Sequence, residues 1–187
     1  MNFRRPIRFC GHVLFVVLEC ILRRFAMIEY ALFYHYRPRF LRSLYLRFMQ
    51  VEHESPFAIG NDFFLRFRGN LRFGKGCGFG SFCRIWNYHQ IEIGDDFLAA
   101  GGLTINTAGH NPDNMESIGG SVTIGSRVWC GLNVTILGGV TIGDDAVVGA
   151  CSLVNKDVPA GSIVVGIPAR VQRQVNRTTF NRWAENF

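Results

Sequence analysis

A period of six residues runs through most of this chain after Pro56. Apolar or cysteine residues recur at every sixth position in three runs: Ile59, Leu65, Leu71, Cys77, Cys83; then Ile93, Ala99, Ile105; then Ile124, Cys130, Ile136, Ile142, Val148, Val154. In the last run the residue four places further on is always small or β-branched: Val128, Val134, Val140, Ala146, Ser152, Val158. Neither a helix nor an ordinary strand repeats every six residues, whereas a solenoid of short strands and tight corners does. The repeat therefore predicts a mainly β solenoid with one continuous core.

Two interruptions of the repeat point to a functional face. Four extra residues at 89–92 shift the phase once, and a longer insertion between Ile105 and Ile124 contains "NTAGHNPDN" with His110. An insertion in a solenoid projects from one face, and that face commonly binds ligands. We therefore expect His110 to be displayed on a rigid scaffold.

The first 55 residues have a different, helical pattern. His12, Glu19 and Arg23 form a narrow polar stripe on an otherwise apolar stretch. The uncharged run at 9–18 is too short to span a bilayer, and no small-residue cleavage site follows it, so secretion is not expected.

A second helix is predicted in "RFLRSLYLRFMQ". Its expected apolar face carries Leu41, Leu44, Tyr45 and Phe48, with the arginines turned away. Basic amphipathic helices either lie at a membrane interface or pack against protein, and the sequence leaves both open.

Charge and cysteine usage exclude several classes of protein. The net charge of +6 comes from basic residues gathered at the two ends, without a basic stripe or a nucleic-acid motif, so no nucleic-acid partner is expected. The six cysteines show no CxxC pair and no dense spacing, which favours free, packed thiols in a reducing compartment.

The stretch "TAGHNPDN", the following repeats with "RVWCGLNV", and the closing "GIPAR" resemble the hexapeptide-repeat acyltransferases. Within them, residues 57–175 look most like the maltose/galactoside acetyltransferase group and its relatives that O-acetylate bacterial polysaccharides. The resemblance implies a left-handed parallel β-helix and acetyl-CoA as co-substrate. It also implies a homotrimer with active sites in the clefts between subunits.

The resemblance also implies a role for individual residues. His110 matches the catalytic base, Trp129 matches a residue that lines the acyl-donor cleft, and the backbone N–H of Leu132 would face the thioester. The expected CoA contacts are Ala150, Asn155, Lys156, Arg170 and Arg173, the two arginines near the phosphates. The acceptor-side Asn of sugar-specific relatives has no counterpart, because Phe82 takes its place and Asn87 is out of register.

Histidine suits the proposed chemistry because its ordinary pKa lies close to neutral. We expect direct transfer from the thioester to an acceptor hydroxyl, since nothing marks a nucleophile among Thr104, Thr107, Ser117 and Ser121. The group that orients the imidazole stays open between Glu116, Asp113 and a backbone carbonyl.

The sequence thus predicts an Arg-rich helical segment at 1–55, a β-helix at 56–168 and a C-terminal tail or short helix at 169–187. The expected function is a cytoplasmic O-acetyltransferase that acts on a sugar of a bacterial surface polysaccharide or its lipid-linked precursor, with peripheral contact at the inner membrane through the N-terminal helices. A sugar N-acetyltransferase and a non-catalytic scaffold in a membrane glycan-assembly complex are the alternatives. A zinc enzyme on this solenoid needs three histidines, and the repeat region offers only His89 and His110.

Overall fold

The computed structural model of the protein describes residues 39–176 of the 187-residue chain. The chain divides into two units, Met1–Arg39 and Phe40–Phe187, and the described residues belong almost entirely to the second. The helix expected in the first 38 residues lies outside the described residues. No helix within residues 39–176 has the length and apolar character needed to cross a membrane.

Short strands stack in three sheets, which we call A, B and C in the order in which the chain visits them. Sheet A contains β1 (Glu52–His53), β4 (Leu71–Phe73), β7 (Ile91–Ile93), β12 (Val122–Ile124) and β15 (Thr141–Ile142). Sheet B contains β2 (Phe57–Ile59), β5 (Cys77–Phe79), β8 (Leu98–Ala99), β13 (Trp129–Cys130), β16 (Val147–Val148), β18 (Ser162–Gly166) and β19 (Ala169–Gln174). Sheet C contains β3 (Phe64–Leu65), β6 (Arg84–Trp86), β9 (Thr104–Asn106), β14 (Thr135–Leu137) and β17 (Leu153–Val154). All pairs within these three sheets are parallel except β18 with β19, so the predicted mainly β solenoid is confirmed.

The inward side chains of each sheet form a column along the stack. In sheet C, Leu65, Ile85, Ile105, Ile136 and Val154 lie in register. Every residue of the three six-residue runs is buried, and so is every residue four places after the last run. The core is therefore the one that the repeat predicts. Burying these side chains is what drives the coils to stack, since one coil cannot cover its own apolar positions.

Changes in coil length all occur where the chain passes from sheet C to sheet A, which we call corner CA. Leu65 and Phe73 are eight residues apart, as are Ile85 and Ile93, whereas the same corner in the fourth coil, Ile136 to Ile142, takes six. The predicted single shift of four residues at 89–92 is therefore wrong, because two separate corners each contain two extra residues. Side chains alternate along a strand with a period of two, so a two-residue insertion leaves an apolar residue at every sixth position.

Helix α1 (Arg39–Phe48) covers the first coil. Leu46 and Met49 are buried in the core, and the N–H of Leu65 donates a hydrogen bond to the Tyr45 hydroxyl at 3.2 Å. The predicted helix is confirmed, but its apolar face is partly wrong, because Leu44 and Phe48 are exposed. The buried stripe is one position further round the helix, where it meets the end of the core.

The C-terminal arginines lie on a strand and not on a helix. Strand β19 (Ala169–Gln174) turns back along β18, with Arg170 opposite Val165. Gly166 has a φ of +103°, which glycine adopts without strain and which lets the chain reverse. Because β18 is otherwise the last strand of sheet B, β19 occupies a free sheet edge. Residues 177–187 lie outside the described residues.

Candidate active site

The insertion at the third corner CA folds into a two-stranded antiparallel hairpin. Its strands are β10 (Ala108–His110) and β11 (Ser117–Gly119), with His110 opposite Ser117. The turn between them is held locally, because Asn111 Oδ1 accepts a hydrogen bond from the N–H of Asp113 at 2.9 Å. Asparagine and aspartate favour such turns since their side chains bond to the backbone two residues on.

His110 is exposed on a hairpin face that carries only small neighbours. Directly paired residues of a hairpin share a face, so His110 lies beside Ser117, Ala108 and Gly119. Within residues 42–176 its ring has no hydrogen-bond partner. One oxygen of the Glu116 carboxylate accepts a hydrogen bond from Asn114 Nδ2 at 2.9 Å within the turn.

The base of the hairpin is anchored by Thr107, which is fully buried. Its hydroxyl donates to the carbonyl oxygen of Trp86 at 3.0 Å and accepts from the N–H of His89 at 2.9 Å. Its carbonyl oxygen accepts from the N–H of Gly120 at 3.0 Å. A buried hydroxyl with both roles filled is a structural group, so Thr107 is not a candidate nucleophile.

A second histidine, His89, stands next to the hairpin, a contact that the sequence did not predict. A Cβ built on Gly119 would lie 2.6 Å from His89 Nε2, so the His89 ring packs directly on the glycine. The strand pairing explains this neighbour, because Trp86 pairs with Asn106 and the residues after Trp86 therefore lie beside the start of the hairpin.

Trp129 and Arg173 belong to one outward-facing line of sheet B. Trp129 pairs with Val147, which pairs with Ile163, which lies opposite Arg173. Their neighbours Cys130 and Val148 point into the core, so the line faces outward and leaves Trp129 47% exposed. Three strand spacings separate Trp129 from Arg173, about 14 Å.

Leu132 and Ala150 occupy equivalent places at the corner between sheets B and C, one coil apart. The carbonyl oxygen of Leu132 accepts a hydrogen bond from the N–H of Cys151 at 2.8 Å. The N–H groups of Leu132 and Ala150 donate no hydrogen bond within the described part of the chain, and both residues are exposed. A backbone donor is therefore available at Leu132, as the resemblance implies.

The candidate residues fall into two groups attached to opposite edges of sheet C. Leu132 and Ala150 lie at the corner before this sheet, with Trp129 on the adjoining sheet B. The hairpin with His110 leaves the corner after it, and Asn155 and Lys156 follow strand β17 at the same side, two coils further along. One chain does not attach all of them around a single cleft.

Neither residue considered for the acceptor side offers a free amide. Asn87 is fully buried, and its side chain bonds to the N–H of Phe67 at 2.9 Å and to the carbonyl oxygens of Phe67 and Gly69 at 3.0 and 2.6 Å. It shapes a widened corner CA. Phe82 is 55% exposed with a φ of +64°, an unusual conformation for an aromatic residue.

The buried cysteines are poor candidates for nucleophiles. Burial raises the pKa of Cys77 and of Cys130 to about 12 and that of Cys83 to about 11, so these thiols stay protonated at neutral pH. Among the described residues, no group of three or more His, Cys, Asp or Glu side chains is arranged to hold a metal ion.

Comparisons with known proteins place this architecture beside a set of acetyltransferases. No protein-family model matches the chain. A galactoside O-acetyltransferase of Escherichia coli is 41% identical over 93 residues, which are 47% of this chain and 46% of the relative. WbbJ of the same organism, provisionally named a lipopolysaccharide biosynthesis O-acetyltransferase, is 32% identical over 126 residues, 60% of this chain and 64% of the relative. The matches thus span about half to two thirds of the length of these relatives.

Solved structures agree with these matches. A hexapeptide-repeat acetyltransferase from Vibrio cholerae, complexed with acetyl-CoA, is 29% identical with a TM-score of 0.67 over 76% of this chain and 81% of that chain. A galactoside acetyltransferase complexed with coenzyme A is 28% identical with a TM-score of 0.63 over 76% and 74%. The resemblance read from the repeat, the looped-out histidine and the closing coils is therefore confirmed, and the chain is a β-solenoid similar in sequence and fold to the hexapeptide-repeat acetyltransferases of the galactoside and maltose group.

Proposed function

We propose that the protein is an O-acetyltransferase that transfers the acetyl group of acetyl-CoA to a sugar hydroxyl, with His110 as general base. The observation that carries this proposal is the exposed His110 ring. It lies on a hairpin face whose other side chains are small, and the buried Thr107 holds the end of the hairpin that joins the solenoid. A rigid base that is open to solvent is what activation of a hydroxyl group requires.

The reaction is a direct transfer. His110 removes the proton of the acceptor hydroxyl as its oxygen attacks the thioester carbonyl; a C–O bond forms, the C–S bond breaks, and the imidazolium returns the proton to the departing sulfur. The N–H of Leu132 is the proposed donor to the oxyanion, and a fixed main-chain donor stabilises developing charge without reorganisation.

The donor side suits acetyl-CoA in both shape and charge. The exposed Trp129 offers an apolar surface for the pantetheine arm, and Ala150 leaves room at the next coil. Arg170 and Arg173 are exposed cations that can form charge-assisted hydrogen bonds with phosphates. Lys156 is a third exposed cation with the Asn155 amide beside it, and because both lie on the hairpin side of sheet C, the neighbouring subunit would supply them.

The assembly that we propose is a homotrimer. His110 and Leu132 are attached to opposite edges of sheet C, so a second copy of the chain is needed to bring the base of one subunit to the donor side of its neighbour. The hairpin also exposes Ile118 by 52% and Met115 by 67%, on a two-stranded element that is marginally stable alone. A neighbouring subunit would cover these side chains.

The proposed acceptor is a sugar of a bacterial surface polysaccharide or its lipid-linked precursor. The support for this choice is the similarity of the chain to galactoside O-acetyltransferases and to WbbJ, which is named for lipopolysaccharide biosynthesis. We measure thiol release from acetyl-CoA against a panel of mono- and oligosaccharides, including amino sugars. Release with hydroxyl acceptors is expected. Release only with amines identifies an N-acetyltransferase, and a failure to bind acetyl-CoA identifies a non-catalytic scaffold.

The proposed setting is the cytoplasm, with peripheral contact at the inner membrane. Helix α1 presents Leu44 and Phe48, 48% and 41% exposed, one turn apart with Arg47 between them. Apolar side chains flanked by arginine suit the interface of an anionic bilayer.

A deletion tests this membrane contact. Because Leu46 and Met49 belong to the core, the deletion ends at residue 38 and keeps α1. We expect removal of residues 1–38, combined with Leu44→Glu and Phe48→Glu, to abolish co-sedimentation with vesicles that contain anionic lipid and to spare acetylation of small soluble acceptors. The same deletion without the two substitutions is the matched control. Unchanged vesicle binding of the combined variant refutes the membrane contact.

A further inference from the structure

The His89 ring lies on the same face of the hairpin as His110. In the pairs Ala108–Gly119 and His110–Ser117, all four residues point to one face, whereas Ile118 points to the other. A Cβ on Gly119 would meet the carbonyl oxygen of Thr107 and also His89 Nε2 at 2.6 Å and Cδ2 at 2.8 Å. The absence of a side chain at Gly119 is what makes room for the imidazole.

The backbone of His89 is held while its ring nitrogens are left available. Its N–H donates to the hydroxyl of the buried Thr107 at 2.9 Å, and that hydroxyl donates in turn to Trp86. The residue is exposed, and neither ring nitrogen has a hydrogen-bond partner within residues 42–176. The backbone that carries the ring is thus held by the same threonine that anchors the hairpin.

The two imidazoles border one small patch. His110 and Gly119 are diagonal neighbours on the hairpin, and such positions lie about 7 to 8 Å apart. The floor of the patch between them is formed by Ser117 and Ala108, whose side chains are short. A molecule the size of one sugar ring, bound over this floor, can touch both histidines.

We propose that His89 binds the acceptor hydroxyl next to the one that His110 deprotonates, so that the acceptor is a molecule with two neighbouring hydroxyl groups. This inference rests on the proposed function, because it assumes that the acceptor approaches His110 from the face the two histidines share. An imidazole can donate to or accept from a hydroxyl group, so it suits a neutral diol.

The test combines enzyme variants with acceptor analogues. We measure kcat/KM for a diol acceptor and for its monodeoxy analogue, which lacks the neighbouring hydroxyl, with the wild type and with His89→Ala. The variant is expected to lose about 10-fold on the diol, the order of one hydrogen bond, and the wild type to lose as much on the analogue. For His89→Ala, kcat/KM should be the same with the diol and with the monodeoxy analogue, since the substitution and the missing hydroxyl remove the same contact. The KM for acetyl-CoA should not change.

Two further variants separate binding from structure. His89→Gln keeps a polar group at this place and is expected to retain more activity than His89→Ala. Tyr88→Ala is the matched control, because Tyr88 is the exposed neighbour whose ring packs on the Phe67 ring at 4.9 Å. Its kcat/KM should stay within about two-fold of the wild type.

Several outcomes overturn the inference. The first is a wild-type kcat/KM of His89→Ala on the diol. The second is a further loss of kcat/KM when His89→Ala is given the deoxy analogue. The third is that His89→Ala slows the hydrolysis of acetyl-CoA without acceptor by the same factor. Saturation-transfer NMR with the saccharide panel gives a readout without turnover: binding by the wild type that His89→Ala loses supports the inference, and a wild type that binds no saccharide ends it. A protein that binds the diol through His89 but never releases CoA contradicts the proposed function alone.

Discussion

Replacing His110 with alanine is expected to lower turnover by about 10² to 10⁴ while the fold and CoA binding stay intact. The variant removes the only group proposed to take the hydroxyl proton, so the acceptor must attack the thioester as a neutral alcohol. The side chain is exposed and makes no hydrogen bond within residues 42–176, so its loss should change the free energy of unfolding by no more than about 0.5 kcal/mol.

Three measurements check this result: thiol release for kcat, calorimetry for CoA affinity, and thermal unfolding for stability. His110→Asn provides a control that keeps a polar side chain but no base, and it should be as inactive as the alanine variant. Turnover within a few-fold of the wild type in either variant removes His110 from the catalytic role.

Replacing Gly138 with alanine is expected to displace the hairpin that carries His110 and so to lower the turnover. A Cβ at this position would lie 2.6 Å from the carbonyl oxygen of Thr107, 2.9 Å from its carbonyl carbon and 3.0 Å from the carbonyl oxygen of Gly120. All of these are backbone atoms at the two feet of the hairpin, so the hairpin must move. A displacement of about 1 Å at a reacting group can cost about 10²-fold in rate, and this is the expected loss of kcat for Gly138→Ala. The overpacked backbone should also lower the free energy of unfolding by about 1 to 3 kcal/mol.

Gly109→Ala is the matched control for this substitution. It lies on the hairpin next to His110, but its Cβ would meet only Ile118 Cγ1 at 4.0 Å, an ordinary contact. We expect its stability to match the wild type within about 0.5 kcal/mol and its turnover to change little. If Gly138→Ala retains full turnover in spite of a lowered melting temperature, the position of the hairpin base does not control the reaction.

The sequence predicts the core of this molecule well because one physical rule governs it. A side chain at every sixth position must be buried for the coils to stack, and residues such as Ile136 and Val148 are indeed buried. The two-residue insertions at corner CA cannot be recognised in this pattern, since they leave the alternation of inward and outward side chains unchanged. Length changes of this kind become visible only when strand partners such as Leu65 and Ile85 are known.

Tertiary contacts decided the features that the sequence could not predict. The apolar positions of α1 fit two adjacent stripes, and the end of the core selected the stripe with Leu46, which Met49 continues directly after the helix. The ring of His89 is 30 residues from Gly119 along the chain, and only the stacking of the two corners brings them together. The strand at Arg170 and Arg173 forms because β18 offers a free edge, a condition that local propensity does not encode.

The confinement of every length change to corner CA has a consequence for how this scaffold can diversify. The other two corners keep a constant spacing, as in the step from Phe79 to Ile85 between sheets B and C and the step from Ile142 to Val148 between sheets A and B. Loops of different length are accommodated along one ridge while the apolar columns of the three sheets keep their register. Selection, or an engineer grafting new hairpins, can therefore retune what this ridge recognises while the rest of the stack is inherited unaltered.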